Sequence, residues 1–170
     1  MNDIGANRWI DAAQLAEHCE DARLRSWLLT PGLMTERIRA ACGERFRFRL
    51  RSQTVAAEGL EREIEFRHGH ELWLLARTRV PRVMLDAEPW LLELDAKPLG
   101  GTLAAHAGVR RAPPDFSLAS PDDPLARHAL AIAALAPQCL WQRRTRFVIN
   151  DHAMILIEVF LPAIGREEPL

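Results

Sequence analysis

Two apolar stretches each carry a charge where a charge is costly, and together they constrain any fold of this chain. Met154-Ile-Leu-Ile-Glu158-Val-Phe-Leu161 is apolar at every position but one and ends at Pro162. A run of that kind reads as a strand covered on both faces, so the Glu158 carboxylate needs a partner other than bulk water. In Glu71-Leu-Trp-Leu-Leu-Ala-Arg77-Thr-Arg-Val-Pro81, alternation places Trp73, Leu75, Arg77 and Arg79 on one face. Leu72, Leu74, Ala76, Thr78 and Val80 fall on the other. An unpaired ion in an apolar interior costs several kcal/mol. Arg77 and Glu158 are therefore expected either to border a pocket whose polar contents complete them or to pair with each other.

The remaining chain supplies helices before and between strands. Asp11 to Cys19 and Asp21 to Leu29 carry good helix formers, and Thr30-Pro31-Gly32 interrupts them. Thr35 is placed to cap a third helix, Glu36 to Cys42, with Gly43 as its stop. From Arg45 to Arg51 arginine alternates with Phe46, Phe48 and Leu50, as on a half-exposed strand. Glu63 to His68 and Glu71 to Val80 flank His68-Gly69-His70 and read as a hairpin. Glu88 to Leu94 reads as a short helix, and Lys97-Pro-Leu99-Gly100-Gly101 as a tight loop opening another helical turn. A short strand is expected at Asp115 to Leu118 and a helix at Leu125 to Ala136. Leu140 to Ile149 and Ala153 to Leu161 form a last hairpin, and the end beyond Gly165 reads as a loose tail. Strands joined by hairpins, with helices gathered around them, argue for α+β: a single antiparallel sheet packed against flanking helices.

Size and charge narrow the function classes. The 170 residues match one domain, 1–170, able to bury a core without disulfides. A formal net charge of -1 gives no electrostatic footprint for nucleic acid. No basic-then-apolar leader opens the chain, and no apolar run approaches the roughly 20 residues of a membrane span. The protein is expected to be cytoplasmic, without stable membrane insertion and monomeric. Cys19, Cys42 and Cys139 are odd in number and widely spaced, as buried reduced thiols would be.

Other candidates yield weaker readings. The Arg45, Arg47, Arg49, Arg51 ladder and the Arg143, Arg144, Arg146 group suit a solvated sheet face better than phosphate binding. His68, His70 and Glu71 lack a third metal ligand at fixed spacing. No nucleophile elbow, P-loop or dinucleotide fingerprint occurs.

One combination of short motifs is more specific. Thr30-Pro-Gly-Leu-Met34-Thr, Leu74-Leu-Ala-Arg77-Thr-Arg-Val-Pro, Pro98-Leu99-Gly100, Leu140-Trp-Gln-Arg-Arg-Thr-Arg-Phe147 and Glu158-Val-Phe-Leu-Pro-Ala163 together resemble chorismate lyase, the pyruvate-releasing enzyme of ubiquinone biosynthesis. The resemblance spans roughly residues 27 to 163. It implies a ligand enclosed beneath helical flaps and conversion of chorismate to 4-hydroxybenzoate plus pyruvate, with neither metal nor organic cofactor. By motif, Arg77 corresponds to the residue holding the ring carboxylate and Glu158 to the carboxylate at the 4-hydroxyl end. Leu99 corresponds to a backbone contact to the ligand and Met34 to a flap residue closing over it. Two departures stand out: extra sequence at about 121–137, and no aromatic residue near Leu103.

Two rivals remain at this level. The fold is also similar to the effector-binding domain of some bacterial transcription regulators, which makes a non-catalytic sensor of small aromatic acids the alternative; a sheet beginning near Arg45 leaves no room ahead of it for a DNA-binding domain. A structural interaction module would leave Arg77 and Glu158 as a mutual salt bridge.

Overall fold

Seven strands build one antiparallel sheet in the computed structural model, which describes residues 8–94 and 97–166. They are β1 (Phe46–Ala56), β2 (Gly59–His68), β3 (Glu71–Pro81), β4 (Arg110–Arg111), β5 (Asp115–Ala119), β6 (Leu140–Ile149) and β7 (His152–Phe160). Their order is β1-β2-β3-β7-β6-β4, and β5 pairs with β6 as well. Among the described residues six α-helices flank the sheet: α1 (Ala12–His18), α2 (Ala22–Leu28), α3 (Met34–Cys42), α4 (Arg82–Ala87), α5 (Leu99–Ala105) and α6 (Pro124–Ala133). The fold is the expected α+β arrangement. Residues 1–7, to which the expectation of no leader refers, and the expected tail at 167–170 lie outside the described residues.

Alternation in the strands divides the core into three clusters. On the front face, α1, α2 and α3 pack Leu15, Trp27, Leu28 and Ile38 against Phe66, Trp73, Leu74 and Phe160. At the other end of that face, Met84, Leu91, Leu94 and Leu103 pack against Leu60, Val80, Phe147 and Met154. The back face is covered by α6, whose Leu125, Ala126, Ala129 and Leu130 meet Leu72, Leu75, Val159 and Leu161. A seam is left on the front between the two helical groups, and the candidate site lies there.

Local differences from the sequence reading have identifiable causes. β1 continues to Ala56 and turns through Ala57-Glu58 into β2, which begins at Gly59 rather than Glu63. Gly59 has φ +139°, and a Cβ there would sit 2.0 Å from the Val80 carbonyl oxygen, so the turn admits no side chain. Trp73 occupies a bulge between the pairs Arg67–Leu72 and Phe66–Leu74. Both Trp73 and Leu74 therefore join the front core, and Trp73 does not share a face with Arg77. α3 starts at Met34 with Leu33 as its N-cap, so Thr35 is not the cap. Cys139 is exposed, unlike the buried Cys19 and Cys42.

Candidate functional site

Strand register fixes the floor of the seam. Ala76 on β3 pairs with Glu158 on β7, Ile64 on β2 pairs with Ala76, and Glu158 pairs with Arg143 on β6. The next row on the same face comprises Arg62, Thr78, Leu156 and Thr145. Two strands across and one row along separate the Arg62 and Glu158 backbones by roughly 12 Å. Both side chains are long enough to converge on one small ligand between them. The small Ala76 and Thr78 leave that space open.

The charges here are deeply buried. Arg62 and Arg143 are 1% exposed and Glu158 is 3% exposed. Arg143 Nε donates to Glu158 Oε2 at 2.7 Å, and its Nη1 donates to the carbonyls of Leu28 (3.3 Å) and Thr30 (3.2 Å). The partner Glu158 requires is thus Arg143, which also fixes the chain leading into the first flap. Arg62 Nη2 donates to the Lys97 carbonyl at 2.6 Å, tying it to the approach to the second flap. Such charge-assisted bonds hold both groups in place before any ligand arrives.

Flaps roof the pocket from both helical groups. Met34 and Leu99, the first residues of α3 and α5, line it together with Gly32, Leu33 and Gly100. A Cβ at Gly100 would sit 3.0 Å from Leu33 Cδ2, so the two flaps touch at their tips. Arg111 on β4 stands at the mouth, itself exposed, and its Nη1 donates to the carbonyls of Pro31 and Gly32 at 3.1 Å each. Burial of its guanidinium lowers the pKa of Arg111, nearby Arg143 adds to that shift, and Glu158 opposes it. Burial likewise lowers Arg37, whose Nη1 bonds the Thr30 hydroxyl at 2.8 Å. The cavity has an empty volume of ≈ 540 Å³, its mouth included. This is the scale of a small organic ligand.

Of the four residues expected from sequence, Met34, Leu99 and Glu158 come together here. Arg77 does not. Because Ala76 is the residue opposite Glu158, its neighbour Arg77 must point through the other side of the sheet. There Arg77 Nη2 lies 2.9 Å from Glu63 and Nε 3.6 Å from Glu61. Glu63 also meets Arg51 at 3.5 Å and His128 at 3.1 Å. Arg77 lines a back-face cleft with Trp9 and Gln142, and neither holds a carboxylate beside Glu158 nor pairs with it.

The cations that do face Glu158's pocket are Arg62, Arg111 and Arg143. Arg62 has a readable signature: it is the one charge on the β2 face otherwise made of Leu60, Ile64 and Phe66. Arg143 likewise shares the phase of Trp141 and Phe147, so it is not part of a solvated face. Nothing in the two-residue strand β4 marks Arg111 in advance. Among the described residues no group of three or more His, Cys, Asp or Glu side chains could hold a metal ion, and no helix is long and apolar enough to cross a membrane.

Comparison with known proteins adds to this geometry. A family model described as chorismate lyase matches residues 48–168. A "Probable chorismate pyruvate-lyase" of Azoarcus sp. (strain BH72) is 34% identical over 164 residues, covering 85% of this chain and 86% of the relative. Another protein so named, from Aromatoleum aromaticum, is 33% identical over 84% of this chain and 86% of its own length. That of Pseudoalteromonas atlantica is 28% identical over 94% of this chain and 88% of its own. A GntR-family transcriptional regulator structure from Bacillus cereus matches 74% of this chain and 98% of its own, with 15% identity and a TM-score of 0.49.

Proposed function

This chain belongs to the chorismate lyase family, and from that premise we propose that it removes pyruvate from chorismate to release 4-hydroxybenzoate. The observation that carries the reading is a buried guanidinium and a buried carboxylate, Arg62 and Glu158, that line one largely apolar pocket from different strands. In this reading Arg62 takes the ring carboxylate, which its planar fork suits. Glu158, oriented by Arg143, accepts the hydrogen bond of the C4 hydroxyl. Met34 and Leu99 close over the ring from the two flaps.

The reaction breaks the C3–O bond to the enolpyruvyl group and the C4–H bond. The hydrogen ends on the enolpyruvyl methylene, which becomes the methyl group of pyruvate. Aromatisation drives the step, so the protein's part is to bind, orient and exclude water. Glu158 polarises C4 through its hydroxyl as that carbon loses hydrogen, and the dry site strengthens this interaction. The aromatic product keeps both the carboxylate and the hydroxyl, so it competes for the same contacts and leaves slowly. Its supply to ubiquinone biosynthesis is the metabolic role this reading assigns.

The test is to incubate EDTA-treated protein with chorismate and quantify both products. Equal amounts of 4-hydroxybenzoate and pyruvate are expected, with Glu158→Gln slower by about 100-fold or more, the order of an electrostatic contribution at a reacting centre. Tight 4-hydroxybenzoate binding without turnover by the wild-type chain would replace the lyase with a sensor.

A further inference from the structure

An unpartnered hydroxyl stands on the floor of the pocket. Thr78 is 2% exposed and lines the cavity, and among the described residues its side chain makes no hydrogen bond. Its oxygen is not sealed within the protein, as the likewise unbonded Thr145 oxygen is, so it opens on the cavity. A buried hydroxyl without a partner costs free energy, and what completes this one is whatever fills the pocket. The reading above gives Thr78 no role: the ring carboxylate goes to Arg62 and the C4 hydroxyl to Glu158.

Strand register says which part of the substrate meets it. Thr78 pairs with Arg62 on one side and Leu156 on the other, while Ala76 pairs with Ile64 and Glu158. The line from Arg62 to Glu158 therefore crosses β3 between Thr78 and Ala76. A ring bound along that line has the Thr78 hydroxyl at one long edge and the Ala76 methyl at the other. C1 and C4 place their carboxylate and hydroxyl on the line itself, so the polar group beside it is the ether oxygen at C3. From this arrangement we infer that Thr78 is a catalytic residue of the proposed reaction, its hydroxyl donating a hydrogen bond to the C3 ether oxygen as that oxygen leaves. The inference rests on the lyase reading above. When the C3–O bond breaks, its electron pair goes to the oxygen and gives the enolate of pyruvate. The C4–H pair becomes the new π bond between C3 and C4, and the hydrogen ends as a proton on the enolate methylene. Thr78 keeps its own proton throughout. An ether oxygen is a weak acceptor and an enolate oxygen a strong one, so the bond tightens toward the transition state. The aromatic product carries nothing at C3 and gains nothing from Thr78.

A hydroxyl that only supports the floor predicts something different, because its loss would weaken substrate and product together. The experiment is to measure the single-turnover rate of pyruvate formation, which product release does not limit, and the competitive Ki of 4-hydroxybenzoate for wild type, Thr78→Val, Thr78→Ser and Thr78→Ala. Valine keeps the shape and removes the donor. Its rate is expected to fall about 10- to 100-fold, the range of one hydrogen bond to a charged group, while Ki stays within about twofold. Serine keeps the donor and should restore most of the rate; alanine carries the same expectation as valine if the valine variant does not fold. An unchanged rate without the hydroxyl, or a loss of rate matched by an equal loss of product affinity, with an active wild type, would overturn the inference and leave the lyase intact. A wild-type chain that forms no pyruvate would overturn the lyase reading itself.

Discussion

At the scale of single residues, the outcome turns on the side of the sheet to which each charge points. Glu158 was legible because it interrupts an otherwise apolar strand, and it does find a buried cation. Arg77 has a similar sequence context, yet it faces the back, because which residue of β3 stands opposite Glu158 is a matter of register between distant strands. A slip of one residue exchanges the two faces, and no local pattern reports it. Arg62 was missed because β2 begins at Gly59, four residues before the strand suggested by the sequence, which left Arg62 outside the alternation that marks it. The consequence for Arg77 is testable. Arg77→Met removes one donor to the buried Glu63, which keeps Arg51 and His128, and is expected to lower stability by about 1–3 kcal/mol, the cost of a buried acceptor left short of a hydrogen bond. KM for chorismate should stay within about twofold, since the side chain is on the other side of the sheet. Denaturant melts and steady-state kinetics on the same preparation separate these effects.

At the scale of elements, the pocket is the place where two helical groups fail to meet over the front of the sheet. Both flaps use the same device, a short helix whose first residue, Met34 or Leu99, caps the cavity. The Thr30 to Met34 and Pro98 to Gly100 motifs made these segments visible in the sequence, but their meeting did not follow from it, because the contact is between side chain and backbone across more than sixty residues. Gly100 sets how closely they meet. Gly100→Leu should wedge the tips apart against Leu33 and speed 4-hydroxybenzoate release by about tenfold, measured by stopped-flow displacement, because opening of such a lid governs product release. The α6 helix covers the back face within the extra 121–137 segment, away from the lids. No residue of that segment lines the front pocket.

At the scale of the whole molecule, the sheet separates two charged environments. The front pocket holds the buried charges Arg62, Arg143 and Glu158; the back carries an ion-pair lattice of Arg51, Glu63, Glu65, Arg67, Arg77, Glu61 and Arg79. Within it, burial disfavours the Glu65 carboxylate, but hydrogen bonds from Arg67 and Arg51 outweigh burial and hold its pKa below the ordinary 4.5. A carboxyl lowered in the folded state stabilises above its unfolded value and loses that contribution as pH falls through the lowered one. Melting temperature should therefore fall below about pH 4.5, and less steeply in Glu65→Gln, which has no proton to take up there. Alternation alone made the front-and-back division of this lattice partly readable, as in the arginine ladder from Arg45 to Arg51. Its pairing across three strands was not.

The central claim is that the front pocket, with Arg62 at one end and Glu158 at the other, is where chorismate is bound and cleaved. A crystal structure of the chain with 4-hydroxybenzoate tests it most directly. The account predicts the carboxylate on the Arg62 guanidinium, the hydroxyl on Glu158, and Met34 and Leu99 closed over the ring. A ligand seated instead in the back-face cleft beside Arg77 and Trp9 would contradict it.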